Sequence, residues 1–435
     1  MASYQSLGIQ HDHVASLGTS RAAGILAVSL IIFLTTANVL DPGGVLGIKY
    51  VSFGVAACFA LAWIWHVDVT VSEWLAGFVL FLVWPLASLL HGVLRGVDVR
   101  TAVSQVTPFV AVFVVGPLAA RTSMRLPLRA FYWCLFSLAL ITIALFGLQF
   151  FYPQNAISSP VVDYLAGYGR SFGFFGTKPD WQEKVPNIYF GATLFFVPTF
   201  VYFLALDRIL LATIVLVALG VTFSKAGVLF CVGFALIWSL VGLFRPDALF
   251  VGRGGSLRRR GRVRRRILAG VSLALTFGVV SVLVWQFQDF TYDVESALYG
   301  QSDTASVRIS DARDFLATMS QNPQYLLWGQ GAGVYVENIG GVSEIHPPEL
   351  DHLNAIRKFG LPWFAAFTWI VFYVAWMLWR IPDPELRAFG LAVPSIFLVG
   401  GTNPVLTSPL FMMLLPMSYL AQRKARRCKG ELTFC

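Results

Sequence analysis

The chain has 435 residues, is 57% hydrophobic and only 13% charged, and carries a formal net charge of +9. That balance excludes an ordinary soluble domain and fits a polytopic membrane protein. The positive charge is not a nucleic-acid signature. Its densest part, Arg258–Arg260 and Arg264–Arg266, lies between apolar runs, where basic residues set topology and touch anionic lipid.

Residues 1–21 read as a polar N-terminal tail, lacking the basic region and cleavage site of a signal peptide. Apolar runs follow, most of them near the roughly 20 residues that cross a bilayer as a helix. They lie at 22–40, 46–65, 73–91, 103–120, 128–151, 188–206, 209–223, 226–244 and 267–285, then at 361–379, 386–401 and 405–421. Twelve crossings place both termini on one side, and the connections sort accordingly. Arg121/Arg125/Arg129, the nine arginines of 245–266, Arg380/Arg387 and the basic tail at 422–435 share the inner side. Of 32 Lys and Arg, 21 fall inside and 11 outside, while of 23 Asp and Glu 8 fall inside and 15 outside. This bias assigns the termini to the cytoplasm. Cys58, Cys134 and Cys231 lie in spans and Cys428 and Cys435 in the inner tail, so no disulfide framework is expected.

Function must then lie in the polar segments at one face, and two outer loops are long, 152–187 and 286–360. Loops of that length are usually functional. The second carries a helical pattern over Ala305–Ser320, with Val307, Phe315 and Met319 at helical spacing and Asn322-Pro323 as its stop. A glycine turn follows at Gly329-Gln-Gly331-Ala-Gly333. Pro347-Pro348 then introduces a second short helix, Glu349–Phe359, with Glu349, Leu353 and Ile356 on one face and Gly360 as its C-terminal stop. The predicted architecture is an all-α bundle of about 12 transmembrane helices under a helical periplasmic cap.

Four segments within roughly 170–365 resemble, in order, those of bacterial polysaccharide polymerases and O-antigen ligases. Arg170-Ser-Phe-Gly-Phe-Phe-Gly176 followed by Pro186-Asn187 is similar to the family's "R…G-x-F…P-N" stretch before a transmembrane helix. Ser224-Lys225-Ala226-Gly227 is similar to its Ser-Arg-x-Gly junction between two helices. Arg308 ahead of Leu327-Trp328-Gly329-Gln330-Gly331-Ala332-Gly333 resembles its "R…W…G-x-G-x-G" segment. His346-Pro-Pro-Glu349-Leu-Asp351-His352-Leu353…Gly360 resembles its "H-N-x-x-L…G" segment. Two departures matter. Lys225 stands where the family has arginine, which keeps the charge and loses the bidentate fork. Glu349 stands where the spacing to Gly360 places the ligases' histidine, which favours a Wzy-type polymerase over a ligase.

The resemblance implies a GT-C-like, metal-independent glycosyltransferase of the bacterial inner membrane, with its active site on the periplasmic face and no cofactor. The donor would be an undecaprenyl-diphosphate-linked oligosaccharide, and the product an exopolysaccharide or O-antigen chain. Partners would be that lipid-linked donor, the bilayer and other polysaccharide-export proteins, without nucleic acid. The leaving diphosphate needs cations, and Arg170, Lys225 and Arg308 are the candidates. The acceptor hydroxyl needs a base. Glu349 is the first candidate, with Asp351 and His352 in reserve and His346 behind them. Trp181, Tyr325, Trp328 and Tyr335 are candidates for stacking on sugar rings. The alternatives are an O-antigen ligase acting on a lipid A core, and a flippase for the same lipid-linked glycan.

Overall fold

A computed structural model describes residues 5–41, 47–151, 191–222, 224–244, 303–334, 350–400 and 405–430, with scattered positions between 267 and 281. Among them the secondary structure is helical throughout. The first five helices are α1 (Gln5–Leu40), α2 (Ile48–His66), α3 (Val71–Leu94), α4 (Val99–Ala120) and α5 (Leu126–Phe151). Then come α6 (Phe196–Ala205), entered through a 3-10 turn at Gly191–Phe195, α7 (Ile209–Val221) and α8 (Lys225–Phe244). The remainder are α9 (Asp303–Gln321), α10 (Tyr325–Trp328), α11 (Asp351–Phe359), α12 (Leu361–Trp379), α13 (Pro384–Val399) and α14 (Pro409–Gly430).

Six of these are long and apolar enough to cross a bilayer: α2, α3, α4, α12, the Arg21–Leu40 part of α1 and the Leu126–Leu148 part of α5. The protein is a multi-pass membrane protein. The sequence predicts twelve crossings; Ala192–Ala205, Ile209–Val221 and Ala226–Val241 are shorter apolar helices among the described residues. The 10 residues of α6 and 13 of α7 extend about 15–20 Å, against a hydrocarbon core of about 30 Å. Both are buried along most of their length.

Local chemistry sets the joints. A capping box starts α3: Glu73 N–H donates to Thr70 Oγ1 at 3.3 Å, and Thr70 N–H donates to Glu73 Oε2 at 2.7 Å. Pro85 lacks an N–H and its ring crowds the carbonyl four residues back. The helix widens to a π turn at Val79–Val83 just ahead of it. In α4 the 3-10 turn Thr107–Phe109 contains Pro108. Asp207, at φ 58°, reverses the chain between α6 and α7.

The core gathers around α6, which packs on α5, α7, α8 and α13. Tyr202 of α6 stacks with Tyr132 of α5 at 4.6 Å and Phe389 of α13 at 4.9 Å, and these two rings stack with each other at 5.7 Å.

The two ends of the bundle differ. One end collects the basic residues. Arg129 makes a bidentate pair with Glu385 at 2.8 and 2.6 Å, and Tyr202 Oη donates to the same carboxylate at 2.9 Å. Arg125 pairs with Asp383, Arg423 with Glu73 and Arg427 with Asp68. Lys424 Nζ of α14 donates to the Ala119 and Ala120 carbonyls at the end of α4, at 3.0 and 2.9 Å, where carbonyls lack helical partners. Arg121 lies over Trp63 and Arg380 over Trp376. The arginine-bearing connections at 121–129, 380–387 and 423–427 therefore meet at one end, as the sequence reading groups them. The basic segment 245–266 lies outside the described residues.

Candidate functional site

The opposite end holds the elements that the sequence singles out. The α9 helix covers the predicted one, with Phe315 and Met319 buried, and packs against α11. After Asn322-Pro323 the one-turn helix α10 leads into the glycine turn. Gly329, Gly331 and Gly333 have φ of 76°, 100° and 86°, where side chains are strained. These glycines also allow close packing. A Cβ on Gly331 would meet the Gly92 backbone of α3, and one on Gly92 would meet the Ala332 carbonyl.

The turn is tied to its surroundings by backbone hydrogen bonds. Gln330 N–H donates to the Arg357 carbonyl at 2.6 Å, Ala332 N–H to the Ser88 carbonyl at 2.9 Å, and Gly333 N–H to Gln105 Oε1 at 2.9 Å. From α3, Ser88 Oγ and Trp84 Nε1 each donate at 2.7 Å, to the Lys358 and Phe359 carbonyls. Arg95 donates to the Gln330 carbonyl at 3.1 Å and lies over the Tyr325 ring.

Helix α11 then turns an unusual face inward. Gly360, at φ 85°, ends it as predicted. The face predicted to carry Leu353 and Ile356 is only half-buried at both positions. Buried instead are Asp351, Asn354, Ala355, Arg357, Lys358 and Phe359. The reason is the partner surface: it offers backbone carbonyls and N–H groups, which polar side chains satisfy and leucine does not. Arg357 donates to the Val334 carbonyl and, at 2.8 Å, to Asn354 Oδ1. Asp351 N–H donates to the Gly400 carbonyl at 3.1 Å, and its Oδ2 accepts from Leu406 N–H at 2.5 Å. Its Oδ1 has no hydrogen-bond partner among the described residues.

The electrostatics follow from burial. Burial raises the Asp351 carboxyl above its ordinary range, opposed by the Lys358 charge and the Leu406 N–H. Burial lowers the Lys358 ammonium to about 8, with Arg357 pushing the same way and Asp351 opposing. His352 is lowered by burial while its ring bonds the Phe397 backbone. That ring packs on Phe397 at 4.6 Å and meets Phe364 edge-on, and its Nε2 is without a partner among the described residues.

The sequence-selected residues are distributed as follows. Asp351 and His352 are the first two residues of α11. Arg308 lies on α9, and Lys225 opens α8, whose first turn at Gly227 lies by Val197 near the start of α6. Their side chains, and all of Arg170, His346 and Glu349, lie outside the described residues, as do Trp181 and Tyr335. Asn354, Arg357 and Lys358 were not selected from sequence. Their signal is the spacing Asp351, Asn354, Lys358, which puts three polar groups on one helix face.

No family model matches this chain, and no curated protein matches it at a significant level of sequence similarity.

Proposed function

We propose that this protein is a membrane glycosyltransferase of the Wzy type, joining polyprenyl-diphosphate-linked oligosaccharide repeats into an exopolysaccharide or O-antigen chain. The observation that carries this reading is the buried charged face of α11. It lies in the segment that resembles the polymerase and ligase motif, packed against the matching glycine turn and the helix bearing Arg308. Ionisable groups kept inside a membrane protein are costly and usually functional. Among the described residues none of the buried charges lies within the six candidate spans, which suits chemistry beside the spans better than passage of a glycan through the bundle.

In the proposed reaction the acceptor hydroxyl attacks the anomeric carbon of the donor sugar. Glu349 takes the hydroxyl proton, the new glycosidic C–O bond forms, and the bond from the anomeric carbon to the diphosphate oxygen breaks. The lipid diphosphate leaves with its electron pair, and Arg170, Lys225 and Arg308 stabilise its charge, in place of a divalent metal. The same proposal counts α6, α7, α8, the segment at 267–285, α13 and α14 as further crossings. That gives twelve, with both termini cytoplasmic and the α11 end periplasmic.

The test is the lipid-linked glycan that accumulates when the gene is deleted, paired with turnover of a purified donor by the reconstituted protein. Single repeats on the lipid, polymerised by the added protein, are the expected result. Full-length unattached chains would identify a ligase acting on a lipid A core. Repeats held on the cytoplasmic leaflet would identify a flippase.

A further inference from the structure

We propose that α10 is a re-entrant element of the bilayer, with Leu327 and Trp328 facing the acyl chains of the leaflet at the α11 end. This does not depend on the catalytic reading.

The outer surface of α3 gives the depth scale. That helix has 24 residues, about 36 Å at 1.5 Å per residue, against a hydrocarbon core of about 30 Å. Its exposed face stays apolar to the last turn, through Val83, Leu86, Leu90 and Leu94. Lipid therefore covers it close to Leu94. Trp84 lies ten residues before Leu94, about 15 Å deeper.

Trp328 sits against Trp84, with ring centroids 6.3 Å apart. Trp84 also holds the Phe359 carbonyl, and the Leu327 carbonyl packs against Gly360, where α12 begins. At that depth Leu327, Trp328 and Leu361 are 55%, 64% and 48% exposed. They continue the lipid-facing surfaces of α3 and α12, two of the candidate spans. Arg95, a full helical stretch nearer the end of α3, lies over Tyr325. The short helix thus descends along α3 from Tyr325 to Trp328.

Irregular backbone is tolerated at membrane depth only when protein satisfies its polar groups. The turn that follows α10 meets that condition. Gly329 N–H bonds the Tyr325 carbonyl at 2.8 Å, and Gln330, Ala332 and Gly333 donate to Arg357, Ser88 and Gln105.

The test uses nitroxide labels on Leu327→Cys and Trp328→Cys, one at a time. The protein is full length with Cys58, Cys134, Cys231, Cys428 and Cys435 replaced, reconstituted in phospholipid vesicles. Collision rates with oxygen and with a water-soluble nickel chelate are compared with labels at Leu90 and at Gln321, an exposed residue at the end of α9. The expected oxygen-to-nickel ratio at 327 and 328 matches Leu90 and is several-fold above Gln321. A ratio equal to that at Gln321 overturns the proposal and leaves a water-facing aromatic surface suited to a sugar ring. Trp328→Phe, with all native cysteines kept, gives an independent reading. Emission lost in that variant is emission that brominated acyl chains should quench in the unmodified protein. Its survival in brominated vesicles also overturns the proposal.

Discussion

Asp351 and Lys358 face the interior from the same side of α11, seven residues and two turns apart, and both are buried. Opposite charges there lower each other's cost, but the separation is too long for a contact pair, so neither is fully compensated. The helix is tied by hydrogen bonds to the glycine turn, to the Trp84 indole and Ser88 hydroxyl of α3, and to Gly400 and Leu406. Its docking should therefore respond to protonation.

Lys358 supplies the clearest pH dependence. Its folded-state value of about 8 lies below the ordinary 10.5. Between these values the unfolded state binds more protons, so stability rises with pH across that window. A shift of this size amounts to at most about 3 kcal/mol. The Tm of the solubilised protein should climb from pH 8 to 10. In Lys358→Met that rise should be much smaller, and Tm at pH 7 should equal or exceed that of the unmodified protein. An unchanged slope in Lys358→Met would show that the ammonium is solvated.

The glycine turn should not tolerate methyl groups. Gly331→Ala places a Cβ against the Gly92 backbone at a φ of 100°. The strain adds about 1–3 kcal/mol to the clash. Gly92→Ala meets the Ala332 carbonyl from the other side. Both variants should insert normally yet expose 329–360 to limited proteolysis. Gly96→Ala, where the added methyl meets open space, controls for strain at positive φ alone and should keep the turn docked. Equal protease resistance in all three would remove the turn from its docking role.

At the basic end, Glu385 accepts from Arg129 and Tyr202 together. Removing one member of such a pair strands a charge, which costs more than removing both. Arg129 is itself 46% exposed and solvent screens the pair, so Arg129→Ala should lower stability by about 1 kcal/mol. Adding Glu385→Leu to it should recover part of that loss. A double variant no better than Arg129→Ala would place the benefit in the Tyr202 bond instead.

The legible parts of the chain were those governed by local rules. Hydropathy located the six long spans to within a few residues. Asn322-Pro323 and Gly360 marked helix ends because proline and glycine act on the backbone where they stand. The buried face of α11 was not legible, for the opposite reason. Leu353 and Ile356 look like its buried stripe, and would be against an apolar neighbour. The actual neighbour presents polar groups, the Ser88 hydroxyl, the Gln330 N–H, the Val334 carbonyl and the Leu406 N–H, all distant in sequence from α11 or supplied by the glycine turn. The Pro85 effect was also missed: the proline is visible, but the π turn it is met by, and the Leu80 carbonyl that accepts from Trp363 Nε1 at 2.9 Å, are products of packing.

The last prediction separates the two carboxylates that begin this region. Asp351 is fully buried, and Oδ2 is engaged by Leu406 N–H. Asparagine can keep that bond through its own carbonyl oxygen, while alanine leaves a buried N–H without a partner, at about 1–3 kcal/mol. Asp351→Ala should therefore lower Tm, and Asp351→Asn should restore most of it. Glu349, two residues earlier, is the proposed base, and glutamine there matches its shape but takes no proton. Glu349→Gln should leave Tm unchanged, bind a purified polyprenyl-diphosphate-linked repeat, and lose about two to four orders of magnitude in turnover. Asp351→Asn should retain turnover in proportion to its folded fraction. If Asp351→Asn is stable yet inactive while Glu349→Gln polymerises normally, the unpaired Oδ1 of Asp351 is the proton acceptor and Glu349 is not. If Glu349→Gln loses donor binding together with turnover, that carboxylate recognises sugar and the base must be sought at His352.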